Sequence, residues 1–355
     1  GDETAMSRPV HACFIVDDLP ANATWWMRHQ QEAFGYVVPD RGWGKGWREL
    51  AAAPKFRIED AAALADLVET FGLRGKCTLL PCPAGLGRID RSVRLYADDE
   101  LAELLGILRV RIAPSFDITP EVLTHAMAYD VDSGAMLTHT ETAYLSHLAA
   151  EGKLVELVAY LRTAYIILHN AGFRPHGMTL GAMADPSGIA GGRGLLAGQG
   201  REIFGEAILR VERQFEPALD TSFMFTGSPP VSEASRTRLA PEVVYDGAFG
   251  RAFEIHSLQD PAHPAMHGRA TAGEVVDRLI TADGAAGAWV QHIESGALFV
   301  VTTHAQTLNS LNTGQGLAIL REAFTRLARR YGSRLLWHTT RELCQTEGWP
   351  PQADR

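Results

Sequence analysis

The run Val10-His11-Ala12-Cys13-Phe14-Ile15-Val16-Asp17-Asp18-Leu19-Pro20 constrains the fold more than any other stretch of this chain. Its apolar centre, Cys13 to Val16, reads as a buried strand, and strands of this kind belong to sheets covered on both faces. The strand runs straight into two adjacent carboxylates and a proline, which places Asp17 and Asp18 where the sheet leaves the core. In α/β folds that carboxyl edge is where ligands bind. Two neighbouring carboxylates repel each other unless one binds a cation while the other acts as a base. The simpler alternative is that Asp18 caps a helix over Ala21 to Phe34.

The rest of the chain repeats the alternation of buried strand and amphipathic helix. Helical periodicity covers Ala21 to Tyr36, Ile58 to Phe71, Asp98 to Leu108, Arg201 to Phe215, Ala270 to Ile280, Gly314 to Tyr331 and Thr339 to Thr346. Thr142 to Ala171 is a longer helical stretch with a break at Gly152. Strands are expected at Gly75 to Pro81, from Ser115, at Arg174 to Leu180, Ser222 to Phe225, Val243 to His256, Ala297 to Thr303 and Arg334 to Trp337. The segments Arg41 to Arg48, Pro83 to Asp90, Gly188 to Gly200 and Ser228 to Ala240 read as loops. This rhythm implies parallel pairing and a barrel-like α/β fold.

Composition narrows the function. The formal charge of -9 comes without a basic stripe, which argues against a nucleic-acid surface. No apolar run approaches the roughly 18 residues of a membrane span. The four cysteines are too scattered for a disulfide framework, and Cys77 and Cys82 read as inert thiols. No Gly-x-Gly-x-x-Gly fingerprint or Gly-x-Ser-x-Gly elbow occurs. Gly1 to Arg8 lacks a signal-peptide layout, so the expected compartment is the cytoplasm, although a trimmed chain would look the same.

Two histidines follow apolar or strand-like runs as Asp17 and Asp18 do. His304 ends Leu298-Phe299-Val300-Val301-Thr302-Thr303, and His125 follows Val122-Leu123-Thr124. An aspartate and two histidines from separate strand ends can converge at one sheet edge, and imidazole plus carboxylate with an open position suits a catalytic zinc. Trp25, Trp43 and Trp47 are candidates to stack on sugar rings, with core packing as the alternative.

These elements, in this order, resemble the polysaccharide deacetylase superfamily, carbohydrate esterases on a distorted (β/α) barrel. Phe14-Ile15-Val16-Asp17-Asp18 is similar to the family's first motif, and Glu121-Val122-Leu123-Thr124-His125 to the first half of its second, which ends in His-x-x-x-His. Arg174-Pro175 weakly echoes the third. Val300 to His304 and Leu336-Trp337-His338-Thr339-Thr340-Arg341-Glu342-Leu343 resemble the closing motifs. The resemblance implies a single domain over residues 10–346, a distorted barrel of about seven parallel strands, with flexible termini at 1–9 and 347–355. It implies Asp17 as general base, Asp18 and His125 as metal ligands, His304 as general acid and Arg174 as the partner of Asp17.

The chain departs from the pattern twice. Leu19-Pro20 replaces the glycine after Asp-Asp, and Tyr129 stands where the second histidine belongs. A phenol is a poor ligand at neutral pH. Asp130 is the expected replacement, with His139 or Glu141 as alternatives and otherwise as substrate contacts. A site of Asp18, His125 and Asp130 is richer in oxygen, so zinc is expected with manganese or iron compatible. The implied activity is metal-dependent removal of an N-acyl (acetyl) group from an amino sugar or glycoconjugate, on a small molecule or oligosaccharide, with neither nucleic acid nor membrane as partner. Two other readings stay open: a glycoside hydrolase using Asp17 with Glu141, and a non-catalytic sugar-binding protein with a degenerate metal site.

Overall fold

The computed structural model describes residues 8–20, 55–94, 96–180, 199–226, 238–266, 268–309 and 313–346. The expected helix at Ala21 to Tyr36, the loop at Arg41 to Arg48 and residues 188–198 of the glycine-rich connection lie outside these. So do Trp25, Trp43 and Trp47, most of the Ser228 to Ala240 loop, and nearly all of both termini.

The first half of the chain contributes β1 (Val10–Leu19), α1 (Ile58–Phe71), β2 (Gly75–Leu79), α2 (Asp98–Ile107) and β3 (Phe116–Pro120). A small antiparallel hairpin follows, β4 (Met127–Tyr129) with β5 (Met136–Thr140), and then α3 (Glu141–Ala150), α4 (Leu154–Asn170) and β6 (Met178–Thr179). The second half holds α5 (Gln199–Phe215), β7 (Thr221–Phe225), β8 (Glu242–Gly247), β9 (Gly250–Ile255), α6 (Ala272–Leu279) and α7 (Ala288–Glu294). It closes with β10 (Phe299–His304), α8 (Gln315–Tyr331), β11 (Leu335–Trp337) and α9 (Thr340–Gln345).

The strands form two main sheets. In the first, the order is β10-β1-β2-β3, all parallel, with β11 also pairing the start of β1. In the second, the order is β8-β9-β7-β6, parallel except for the β8–β9 hairpin. Isolated parallel bridges link the sheets on both sides, Ile118 with Pro175 and Glu121 with Thr179 at one edge, Leu258 with Val301 at the other.

Strand β1 shows why a continuous apolar run was needed. Phe14 and Val16 point into the main core with the helices, whereas Cys13 and Ile15 join a second cluster with Phe223, Phe225, Ile255 and Val300. Side chains alternate along a strand, so a strand buried on both faces is apolar at every position. Each fully buried side chain of this size contributes roughly 1.5–3 kcal/mol. The second strand must also approach closely: a Cβ on Gly75 would lie 1.8 Å from the Phe14 carbonyl oxygen.

Several boundaries follow the sequence closely. Helix α1 spans Ile58–Phe71 and stops at Gly72 in the left-handed region, the usual glycine C-cap. The long helical stretch breaks at Gly152, whose φ is +65°. Helix α9 starts with a capping box in which Thr339 and Glu342 satisfy each other's backbone N–H. Two expectations need correction. Val243 to His256 is an antiparallel hairpin and not one strand, because the chain reverses between Gly247 and Gly250, the latter at φ +115°. Arg174 to Leu180 is regular only at Met178–Thr179. The four cysteines are all buried and free.

Candidate functional site

At the carboxyl edge of β1 the register with β2 shifts between Val16 and Leu19, and Asp18 adopts φ +70°. Such a bulge breaks the strict alternation of a strand and re-aims side chains. Asp17 and Asp18 are both buried and reach different partners. Asp17 Oδ1 accepts hydrogen bonds from Lys76 Nζ at 2.7 Å and Thr78 Oγ1 at 2.5 Å. Lys76 is fully buried and also donates to Thr78 Oγ1 at 2.8 Å and Thr179 Oγ1 at 2.7 Å, with its ammonium 4.4 Å from the Phe225 ring centroid. Three acceptors match the three donors of an ammonium. Arg174, expected to pair with Asp17, is exposed instead. The signal was present in Gly75-Lys76-Cys77-Thr78-Leu79, where one charge sits inside a buried strand and demands a buried anion.

Asp18 meets the loop after β3. His125 Nε2 lies 3.3 Å from Glu121 Oε1 and 3.5 Å from Asp18 Oδ1. One ligand atom from each of these three residues falls within 4.8 Å of the others. Burial first, then the charges of Asp18 and Asp17, push the Glu121 carboxyl well above its ordinary range. Burial lowers His125, against the pull of Asp18 and Asp17, so its imidazole is neutral, the form that ligates metals. Glu121 Oε2 is buried with no hydrogen-bond partner. Among the described residues neither Asp18 nor Glu121 pairs with a lysine or arginine. Two buried carboxylates facing a neutral imidazole, with an orphaned oxygen, fit a divalent cation. Val122 at φ +37° and His125 at φ +50° add backbone strain of the kind that gathers at functional sites.

The third position of this group is therefore Glu121 and not Asp130. Asp130 Oδ1 accepts the backbone N–H of Asp132 at 3.0 Å and of Ser133 at 2.9 Å, closing the turn between β4 and β5. Those bonds lower its pKa. His139 is exposed on β5, outside the group. Glu141 is buried at the start of α3 and accepts the N–H of Leu123, Thr124 and His125 and the hydroxyl of Tyr160, so it is no substrate contact. Burial raises its pKa to about 7 against those four bonds. Glu121 was visible in the motif as the residue four before His125, but nothing local marked it as a ligand.

His304 ends β10 directly beside Asp17, its register partner. Its Nδ1 is 2.8 Å from Asp260 Oδ2, and Thr307 Oγ1 donates to the same oxygen at 2.5 Å. Burial alone would lower this imidazole, but the Asp260 bond and the charges of Asp18, Asp260 and Asp17 raise it to about 9. Asp260 was missed in the sequence. Its only signal is an Asp-Pro pair a few residues beyond the end of β9.

A second group of possible metal-binding residues, Glu242, Glu254 and His256, gathers around Arg201 at the start of α5. Arg201 pairs with both carboxylates and so offsets part of their charge.

No family model and no curated protein matches this chain. Solved structures similar to it include an exo-type maltose-forming amylase from Pyrococcus sp. ST04, at 10% identity and TM-score 0.42, over 94% of this chain and 47% of the amylase. A Mycobacterium smegmatis protein assigned as a polysaccharide deacetylase is similar at 13% identity and TM-score 0.47, over 93% of this chain and 87% of that one. A GH57 branching enzyme from Thermococcus kodakaraensis is similar at 10% identity and TM-score 0.47, over 96% and 71%. The chain thus spans about half the length of the amylase. Among the described residues no helix is long and apolar enough to cross a membrane.

Proposed function

We propose that this chain is a metal-dependent hydrolase that removes an N-acyl group, acetyl above all, from an amino sugar or related glycoconjugate. The observation that carries the reading is the convergence of Asp18, Glu121 and His125 beside an Asp17–Lys76 ion pair and a His304–Asp260 pair at one sheet edge. We read the two bridged sheets over residues 10–346 as one distorted barrel, which supports a shared active-site mouth.

Asp18, Glu121 and His125 would hold the cation, with zinc expected and manganese or iron compatible with the two carboxylates. A bound divalent cation supplies Lewis-acid polarisation of an acyl carbonyl and acidifies water. Asp17, ion-paired with Lys76, takes the proton of the attacking water. His304, cationic against Asp260, gives its proton to the departing amine as the C–N bond breaks. Base and acid thus start in opposite protonation states, which the reaction requires. The glycosidase alternative would need a second carboxylate other than Glu141, whose oxygens accept backbone donors.

Elemental analysis of the dialysed protein beside its His125→Ala variant tests the reading. About one divalent ion per chain, lost in the variant, supports it. Retained metal should accompany release of acetate from N-acetylated amino sugars. Failure of the protein to take up zinc, manganese or iron would sink the mechanism, and metal uptake without turnover on any acylated sugar would turn attention to a binding role.

A further inference from the structure

We propose that Glu141 is a positioning residue for the metal group: its carboxylate locks residues 123–125 in the backbone arrangement that turns His125 towards Asp18 and Glu121. The inference rests on the metal-hydrolase reading and adds a residue outside the ligand set.

Glu141 collects an unusual set of donors. Its Oε2 accepts the N–H of Leu123 at 3.1 Å and of Thr124 at 2.9 Å, and the Tyr160 hydroxyl at 2.6 Å. Its Oε1 accepts the N–H of His125 at 2.9 Å. All four partners donate, and among side chains only a carboxylate accepts on both arms without bringing a donor of its own. Three consecutive N–H groups aimed at one anion are a nest, and the first turn of α3, where Glu141 sits, also favours negative charge.

The segment so held is one that would not stay in place unaided. Val122 lies at φ +37° and His125 at φ +50°. L side chains rarely adopt that region, and a β-branched valine least of all. Strained conformations of this kind persist only where the surroundings over-determine them. Glu141 bonds every N–H from Leu123 through His125, while the Val122 N–H goes to the Thr179 carbonyl and the Leu123 and Thr124 carbonyls accept from Cys82 and Ala84. Tyr160 on α4 extends the anchor, since its oxygen also accepts the Tyr129 N–H at 3.2 Å and so ties β4 to the same point. Outer partners of this sort are what aim metal ligands in other proteins.

Titration of the full chain with Co²⁺, followed by its visible d–d bands, tests the proposal in four forms: wild type, His125→Ala, Glu141→Gln and Tyr160→Phe. Glu141→Gln keeps the shape but turns an NH₂ towards donors. It is expected to weaken Co²⁺ binding about 10- to 100-fold, with an altered spectrum at saturation because His125 no longer points as before. Tyr160→Phe removes the one phenol donor and should weaken binding about 2- to 10-fold. Wild-type affinity in Glu141→Gln overturns the proposal. So does weaker binding with an unchanged saturated spectrum, which would mean that Glu141 acts on fold stability alone. If Glu141→Gln does not fold, wild-type affinity and spectrum in Tyr160→Phe overturn it equally. The metal reading fails separately, when the wild type binds no Co²⁺ or His125→Ala binds it as well as the wild type.

Discussion

Two groups in this molecule are built from the same residue types and differ in the cation beside them. Asp18, Glu121 and His125 bring two buried carboxyl groups and an imidazole together, and no lysine or arginine among the described residues pairs with either acid. Glu242, Glu254 and His256 make a similar list, with His256 Nε2 3.0 Å from Glu242 Oε2 and Thr226 Oγ1 donating to Glu254 Oε1 at 2.8 Å. The difference is Arg201, which contacts both glutamates. Unpaired buried charge is costly, and a buried acid without a counter-charge either takes up a proton, as the raised Glu121 carboxyl does, or gains from a bound cation. Residue type alone does not distinguish a ligand site from a structural staple. Charge balance does.

The comparison can be broken most directly at Arg201. Arg201→Met leaves Glu254 buried without its cation, and the chain should lose about 3–5 kcal/mol in urea unfolding. Glu121→Gln in the metal-free protein should cost little or no stability, because burial and the neighbouring aspartates already push that carboxyl towards its neutral form. A large loss from Glu121→Gln, or none from Arg201→Met, would contradict the assignment of the two groups.

Metal should separate them next. At a hundredfold excess over its dissociation constant, zinc is expected to add about 2.7 kcal/mol to the wild type. Thermal unfolding with and without zinc should show that gain abolished by His125→Ala and retained by His256→Ala. Retention in both variants would mean that the metal binds elsewhere.

The His304–Asp260 pair sharpens the contrast through pH. Asp260 helps hold His304 at about 9, above an ordinary imidazole, so the protonated acid persists through neutral pH. A raised histidine contributes stability that is full below its unfolded pKa of about 6.5. That contribution fades as pH rises through about 9. Asp260→Asn should move the alkaline limb of the pH–rate profile to lower pH, by about one unit or more. An unmoved limb would remove His304 from the acid role. A small effect is expected at Glu242→Gln, which still leaves Glu254 on Arg201 and should cost about 1 kcal/mol or less. A cost as large as that of Arg201→Met would shift the weight of the staple from Glu254 to Glu242.

Residues at strand ends were legible because position along a strand decides them. In parallel α/β packing every strand delivers its carboxyl end to the same edge, so Asp17, Asp18 and His304 could be read as neighbours from apolar runs alone. His125 was expected to end a strand at Val122 to Thr124, but those residues belong to the loop after β3, which ends at Pro120. The capping box at Thr339 and the break at Gly152 were legible for a similar reason, since both are local backbone chemistry.

What the sequence determined by itself, then, was which elements form and which of their ends carry charge. Only the tertiary structure decided the pairings. Lys76 and not Arg174 meets Asp17, across 59 residues, because a parallel neighbour strand places it there. Asp260 reaches His304 across 44 residues, and Glu141 is drawn from the substrate list to an internal anchor by a strained loop that no local pattern announces. Whether a buried carboxylate repels, pairs or ligates depends on what charge lies within a few ångströms, and through-space distance is not written along a chain.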